Sequence, residues 1–260
     1  MTSGHDVGAD LRAGTDPWVI APSLAHASIG SVVVLDDATL HHLRRVRRVA
    51  AGASVVATDG RGVVAGGRLG QDGLEVEVVG TIAPPRPRVR VVQGLAKRSR
   101  HDAVVRMLTE LGVDWITAAT TERCQVDLGR KVDRVQARWE SIVASACGQA
   151  RRAHRPIVDG PLRLGEALPG SLERVLVAHP GATTSPLEVL AGVGASTGDD
   201  DPGGEVWTAV IGPEGGLSDD EVADLVARGG VAVGLGPTVL RTEHAGLALA
   251  AIMAAGLGRM

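Results

Sequence analysis

Near the C-terminal end of the chain, two apolar runs each break into a glycine-bearing turn and resume as a helix-like stretch. The first turn reads Ile211-Gly212-Pro213-Glu214-Gly215-Gly216-Leu217-Ser218, the second Leu235-Gly236-Pro237-Thr238-Val239-Leu240-Arg241-Thr242-Glu243. A strand that ends in a corner and feeds a helix is the repeating unit of a parallel sheet covered by helices. Glycine at such a corner lets backbone N–H and C=O groups approach a ligand with no Cβ in the way. In open α/β sheets, the corners at the carboxyl ends of the strands are where ligands sit.

The rest of the composition narrows the class. The 260 residues include no Phe, no Tyr and four Trp, so aliphatic side chains and Ala must fill the core. The composition thereby argues against a reader that stacks bases on a set of aromatics. No uninterrupted apolar segment reaches membrane-spanning length. The N-terminus carries Asp6, Asp10 and Asp16 and lacks the positive-then-apolar pattern of a signal peptide. Cys124 and Cys147 suit a reduced cytoplasm, and are expected as two small buried hydrophobes. They show no metal-ligand spacing, and the eight histidines form no His-x-x-x-His pair. No metal and no membrane partner are expected.

Net charge is −3, but its distribution is uneven. Residues 1–155 hold 22 Lys+Arg against 16 Asp+Glu, whereas residues 156–260 hold 5 against 14. No Lys or Arg occurs from Val175 to Ala227. The first half therefore reads as a basic docking surface, and the second as having different work.

Along the chain, residues 1–16 read as a disordered leader. From 17 to 83, short β-runs separated by turns predict a small barrel: Val32–Leu35, Val55–Ala57, Val63–Ala65, and Leu74, Val76 and Val78 alternating with Glu75 and Glu77. His41 to Arg48 reads as one short helix between them. Pro84, Pro85 and Pro87 mark a linker over 84–88. Over 89–260 the pattern changes to β/α alternation. Strands are expected at Val89–Leu95, Trp115–Ala119, Val175–Ala178, Val206–Ile211 and Val231–Leu235. Helices are expected at His101–Leu111, Val132–Ala150 and 243–256. Ser218 and Glu221 form a capping box that starts another helix. The Gly- and Asp-rich stretch from Ala191 to Gly204 reads as a surface loop.

The first glycine turn is not a phosphate-binding Walker loop, since no Gly-Lys-Ser/Thr follows. No Gly-x-Gly-x-x-Gly fingerprint and no Gly-x-Ser-x-Gly elbow occur either. His179-Pro180-Gly181, after Ala178, ends a third strand and reads as a turn. Arg44, Arg45, Arg47 and Arg48 stand in a stretch with no acid between Asp37 and Asp59. A charge run is usually a solvated face, but phosphates are natural partners for one without acids nearby. Arg86, Arg88, Arg90, Lys97, Arg98 and Arg100 extend the basic character, and Arg151, Arg152 and Arg155 form a further cluster. Together they point to a nucleic-acid partner.

The two glycine turns resemble those of the RsmE family, ribosomal RNA methyltransferases of the SPOUT superfamily. His42-Leu43 with Val46, Arg48 and Gly52 is similar to the family's N-terminal signature. Thr109–Val113 with Glu122-Arg123-Cys124 resembles its central segment, and Ala146–Pro156 with Gln149 and Arg152 a later one. The chain departs from the family at Arg47 (usually Leu), Gly148 (usually Glu) and His244 (usually Thr), and Asp16-Pro17-Trp18-Val19 replaces an Arg-Phe-Phe-Val start.

The resemblance implies a PUA-like β-barrel followed by a SPOUT α/β domain with a deep trefoil knot. It implies S-adenosylmethionine as cofactor, held near Ala178, His179 and Pro180, Ile211 to Leu217, Leu235, Gly236, and Val239 to Glu243. The product would be N3-methyluridine in 16S rRNA of the small ribosomal subunit, and the enzyme a homodimer. Arg241 is expected to stabilise charge on the uracil; Glu243 or Glu214 would orient it or accept the N3 proton. RNA contacts are expected from His42, Arg44, Arg45, Arg47, Arg48, Lys97, Arg98, Arg100, Gln149, Arg151 and Arg152. A ribose 2′-O-methyltransferase and a non-catalytic ribosome assembly factor are the alternatives. A dehydrogenase is disfavoured by the missing fingerprint.

Overall fold

The structure, a computed structural model, describes residues 7–168, 170, 172–192 and 205–260. The chain forms two compact units, Met1–Pro84 with Ala144–Arg155, and Pro85–Val143 with Pro156–Met260. Residues 144–155, read from sequence as part of the second domain, thus belong to the first unit.

The first unit is a five-stranded half-barrel. Its order is β1 (Trp18–Ile20), β3 (Ser54–Thr58), β4 (Val63–Leu69), β5 (Gly73–Thr81), β2 (Val32–Val34). Only the β1–β3 pair is parallel. No ladder between β1 and β2 closes it among the described residues, so the expected barrel is an open one. Leu74 and Val76 point inward while Glu75 and Glu77 stay exposed, the period-2 pattern of a half-buried strand. One face packs Leu24, Val33, Leu43, Val55, Ala57, Leu69, Leu74 and Val76. The other packs Trp18, Val56, Val64 and Ala153 with Leu11 and Ile82. Burial on both faces explains why β3 reads as a continuous apolar run.

Two helices here differ from the sequence reading. Val7–Ala13, expected within a disordered leader, is a helix, α1. A seven-residue helix is marginal alone, and it is held by docking on glycines. A Cβ at Gly66 would stand 2.7 Å from Leu11 Cδ2, and one at Gly80 3.1 Å from Val7 Cγ1. The helix expected over 41–48 begins earlier, at α2 (Asp37–His41), because the Asp36 carboxylate caps it by accepting from Thr39 N–H at 2.6 Å. It continues as a π-helical turn over His42–Val46.

The second unit is a six-stranded, all-parallel sheet. Its order is β11 (Val231–Val233), β9 (Val175–Ala178), β10 (Val206–Ile211), β6 (Arg88–Gly94), β7 (Trp115–Thr120), β8 (Ile157–Arg163). Its helices are α3 (Arg98–Leu111), α4 (Val132–Gln149, whose last turns belong to the first unit), α5 (Pro186–Ala191), α6 (Asp219–Ala227) and α7 (Thr242–Gly256). Four of the strands start where the apolar runs predict and β6 one residue earlier, at Arg88; β8 and α5 lie outside those predictions. α3 ends at Gly112, whose φ of 102° is the left-handed cap that only glycine adopts easily. Ser218 and Glu221 cap α6 reciprocally, at 3.2 Å and 2.8 Å. Of the expected loop from Ala191 to Gly204, residues 193–204 lie outside the described residues.

Candidate active site

The carboxyl ends of β9, β10 and β11 open into one cavity of about 680 Å³. Its walls come from Ala178, His179 and Pro180 after β9, from Ile211 to Leu217 at the end of β10, and from Leu235 to Glu243 after β11. The structure therefore brings together every residue that the resemblance implies for the cofactor, including Gly236, Val239 and Leu240. Arg241, Glu243 and Glu214 line the same cavity. Residues far apart in sequence meet there because parallel strands all deliver their following loops to one edge of the sheet.

Backbone sterics explain the glycines. A Cβ at Gly212 would stand 2.7 Å from Leu217 N and 2.8 Å from the Gly216 carbonyl carbon, so the turn folds back on itself only without a side chain. Gly216 and Gly236 have φ of 72° and 116°, conformations that other residues adopt at a cost. The turn is tied to the other elements by a buried chain of hydrogen bonds. Gln93 Nε2, at the end of β6, donates to Thr242 Oγ1 at 2.7 Å, and Thr242 Oγ1 donates to the Gly212 carbonyl at 2.6 Å.

The acids of the cavity differ in their surroundings. Glu214 accepts from Arg100 Nη1 at 2.9 Å and from Lys97 N–H at 3.3 Å. Burial alone would raise its pKa, but its own backbone N–H, the Lys97 N–H and the Arg100 guanidinium together hold its carboxyl below the usual range. Glu243, in the first turn of α7, has a buried Oε2 with no hydrogen-bond partner. A buried oxygen without a partner is costly. Arg241 is exposed and lies just before α7 in extended backbone. His179 Nδ1 accepts from Gly181 N–H at 3.2 Å, the local turn contact expected of it.

The basic residues separate into groups. His42, Arg44, Arg45, Arg47 and Arg48 are all exposed on the first unit. Arg44 Nη2 donates to the Gly70 carbonyl at 2.9 Å and also to Gln71. Lys97 and Arg98 are exposed at the start of α3, whereas Arg100 turns into the cavity wall. Gln149 is exposed, and Arg151 Nη1 donates to the Arg12 carbonyl at 3.3 Å. Arg152 differs from the other cations of this group in being buried, at 6% exposure. It lies beside Cys147, whose thiol is pushed up to about 11 by burial, against the pull of that guanidinium. Cys124 is only half-buried, because it sits on a turn, with Sγ 3.4 Å from the Leu95 carbonyl.

Sequence reasoning assigned no site role to Arg123, which follows β7 and lines the cavity. Its only signal was its place in the Glu122-Arg123-Cys124 stretch. Among the described residues, no group of three or more His, Cys, Asp or Glu is placed to hold a metal, and no helix is long and apolar enough to cross a membrane.

Comparison with known proteins places this geometry. An RNA methyltransferase domain matches residues 84–254, and an RNA methyltransferase PUA domain matches residues 35–79. Ribosomal RNA small subunit methyltransferase E of Mycobacterium bovis is 37% identical over 229 residues, covering 83% of each chain. The enzyme of the same name from Synechocystis is 31% identical over 237 residues, covering 87% of this chain and 73% of its own. Among solved structures, ribosomal RNA small subunit methyltransferase E of Neisseria gonorrhoeae bound to S-adenosyl methionine aligns with a TM-score of 0.76 at 28% identity, over 92% of this chain and 97% of that one. A Legionella pneumophila methyltransferase with its cofactor SAM shares the fold, with a TM-score of 0.80 at 24% identity over 93% and 98%. An α/β sheet carrying a cavity at its strand ends, a PUA unit and these relatives lead to one conclusion: the chain belongs to the ribosomal RNA small subunit methyltransferase E family of RNA methyltransferases.

Proposed function

We propose that this chain transfers a methyl group from S-adenosylmethionine to N3 of a uridine in 16S ribosomal RNA. The observation that carries the reading is the convergence of three strand-end corners on one cavity. Its volume of about 680 Å³ suits a nucleoside-sized ligand. Ile211, Leu217, Leu235 and Leu240 offer an apolar slot, and the backbone at Gly212, Gly216 and Gly236 is open to close approach. These residues fit the cofactor that the N. gonorrhoeae relative binds.

When bound, S-adenosylmethionine supplies an electrophilic methyl group on a sulfonium. What remains for the protein is alignment and proton handling. Uridine N3 carries a proton and is a poor nucleophile until it leaves. Glu243, in the cavity wall, is the acceptor for that proton. Arg241 stabilises the negative charge that develops on the uracil. Glu214, held by Arg100 and the Lys97 amide, instead fixes Arg100. The uridine must leave its stack to reach the site.

RNA docking falls to His42, Arg44, Arg45, Arg47 and Arg48, to Lys97 and Arg98, and to Gln149 and Arg151. The enzyme acts in the cytoplasm as a homodimer, and its C-terminal segment forms the trefoil knot of its superfamily. In support, the chain leaves β11 beside β9 and returns as α7 against β6 and β10. The test is incubation of unmodified small ribosomal subunits with the protein and labelled S-adenosylmethionine, followed by nucleoside analysis and mapping. N3-methyluridine at one position is expected. A labelled ribose 2′-hydroxyl, or no label, overturns the reading.

A further inference from the structure

We propose that Arg123 grips a phosphate of the RNA substrate at the mouth of the cavity; the inference rests on the RNA methyltransferase reading above. The cavity is built largely from the stretch around residues 175–227, which contains no Lys or Arg, and from the loop after β11. Glu214 and Glu243 lie in its wall. A polyanion brought to such a place is repelled unless cations are supplied from elsewhere. Among the described residues that line the cavity, the guanidiniums are those of Arg100, Arg123 and Arg241. Arg100 is committed to Glu214 at 2.9 Å. Arg241 stands next to the reacting base in the reading above. Arg123 is left for the backbone of the strand.

Its surroundings suit that task. Arg123 Nη1 donates to the Leu217 carbonyl at 3.0 Å, which fixes the plane of the guanidinium. A planar fork held in place loses little freedom when it takes a phosphate through its remaining N–H donors. The nearest acid, Asp219, is 3.9 Å from Nη2 and its side chain is 94% exposed, so solvent screens the pair and leaves most of the positive charge available. The Arg123 side chain is itself 48% exposed and within reach of solvent-borne ligands. Its main chain also backs the cofactor turn: a Cβ at Gly215 would stand 3.0 Å from both Arg123 Cβ and Arg123 O. A grip at Arg123 is thus joined mechanically to the turn that shapes the cavity.

Two variants of the full chain separate grip from brace. Arg123→Gln keeps an N–H donor for Leu217 but loses the charge. Arg123→Lys keeps the charge and loses the fork. Each is titrated with a uridine-containing single-stranded oligoribonucleotide at several salt concentrations, and with S-adenosylmethionine alone. For Arg123→Gln, RNA affinity is expected to fall about tenfold, as for a lost charge-assisted hydrogen bond. The slope of log affinity against log salt should shrink by about 0.7, one single-strand phosphate contact. S-adenosylmethionine affinity should stay within about twofold of the parent, by the same conversion of small energies. Arg123→Lys should keep the parental salt slope. The inference is overturned if Arg123→Gln retains parental RNA affinity and slope, if RNA and S-adenosylmethionine binding weaken together, or if Arg123→Lys loses the slope. Failure of the unaltered protein to methylate subunits would instead overturn the functional reading.

Discussion

Thr242→Val tests whether the buried chain Gln93–Thr242–Gly212 holds the cavity together. The substitution nearly preserves shape and deletes one hydroxyl. That hydroxyl is 2.6 Å from the Gly212 carbonyl and 2.7 Å from Gln93 Nε2, with Gln93 fully buried. Two hydrogen bonds are lost, each worth about 1 kcal/mol net, and the Gln93 amide is left as a buried donor without a partner, at about 1–3 kcal/mol. The expected destabilisation is about 3–5 kcal/mol, which lowers the unfolding midpoint by roughly 6–20 °C for a chain of this size. S-adenosylmethionine binding should weaken as well, since the Gly212 carbonyl loses its anchor. Adding Gln93→Met to Thr242→Val removes the stranded amide, so the double variant should recover part of the loss, with a coupling energy of roughly 1 kcal/mol. Thermal unfolding and calorimetry on the four proteins give the cycle. A shift below about 0.5 kcal/mol for Thr242→Val, or simple additivity with Gln93→Met, refutes the reasoning.

Three further outcomes are expected. Arg241→Ala should lower turnover at least about a hundredfold, the scale of a lost electrostatic catalyst, with S-adenosylmethionine affinity little changed; an equal loss in both removes its catalytic role. Gly212→Ala should weaken cofactor binding and lower kcat, because the new Cβ meets Leu217 N at 2.7 Å; parental titration curves would show that the turn yields freely. His101, buried against Trp139 with ring centroids 4.7 Å apart, has its pKa lowered to about 4 by burial and then by Arg138, against the opposing pull of Glu214. Its neutral form is favoured only in the folded chain, so the unfolded chain binds the proton first. Stability should therefore fall as pH drops from about 6.5 towards about 4, and His101→Met should flatten that part of the profile; an unchanged slope in urea unfolding contradicts the assignment.

Much of the second unit could be read from the chain because its central strands are buried on both faces and appear as unbroken apolar runs. β8 escaped for the converse reason. It pairs only with β7, at the sheet edge, and carries Asp159, Gly160, Pro161 and Arg163, which an edge tolerates. α1 escaped because its stability comes from Leu11 and Val7 seated on Gly66 and Gly80, contacts remote in sequence. At the site, the glycine turns announced themselves through backbone demands that few other residues meet. The division of labour among the arginines did not. Arg100, Arg123 and Arg152 look alike in a sequence, yet one is paired with Glu214, one is half-exposed at the cavity, and one is buried beside Cys147. Only the fold distinguishes them.

The absence of tyrosine gives the two units separate optical reporters. All intrinsic emission comes from indole, and Trp18 packs within the half-barrel, while Trp115, Trp139 and Trp207 belong to the sheet-bearing unit. Of these, Trp115 alone among the described indoles has its N–H bonded to a carboxylate, Asp159, at 2.9 Å; the Nε1 atoms of the other three are buried without a partner. Replacing Trp18 silences one half of the chain, so its melting can be followed by subtraction, with no label attached.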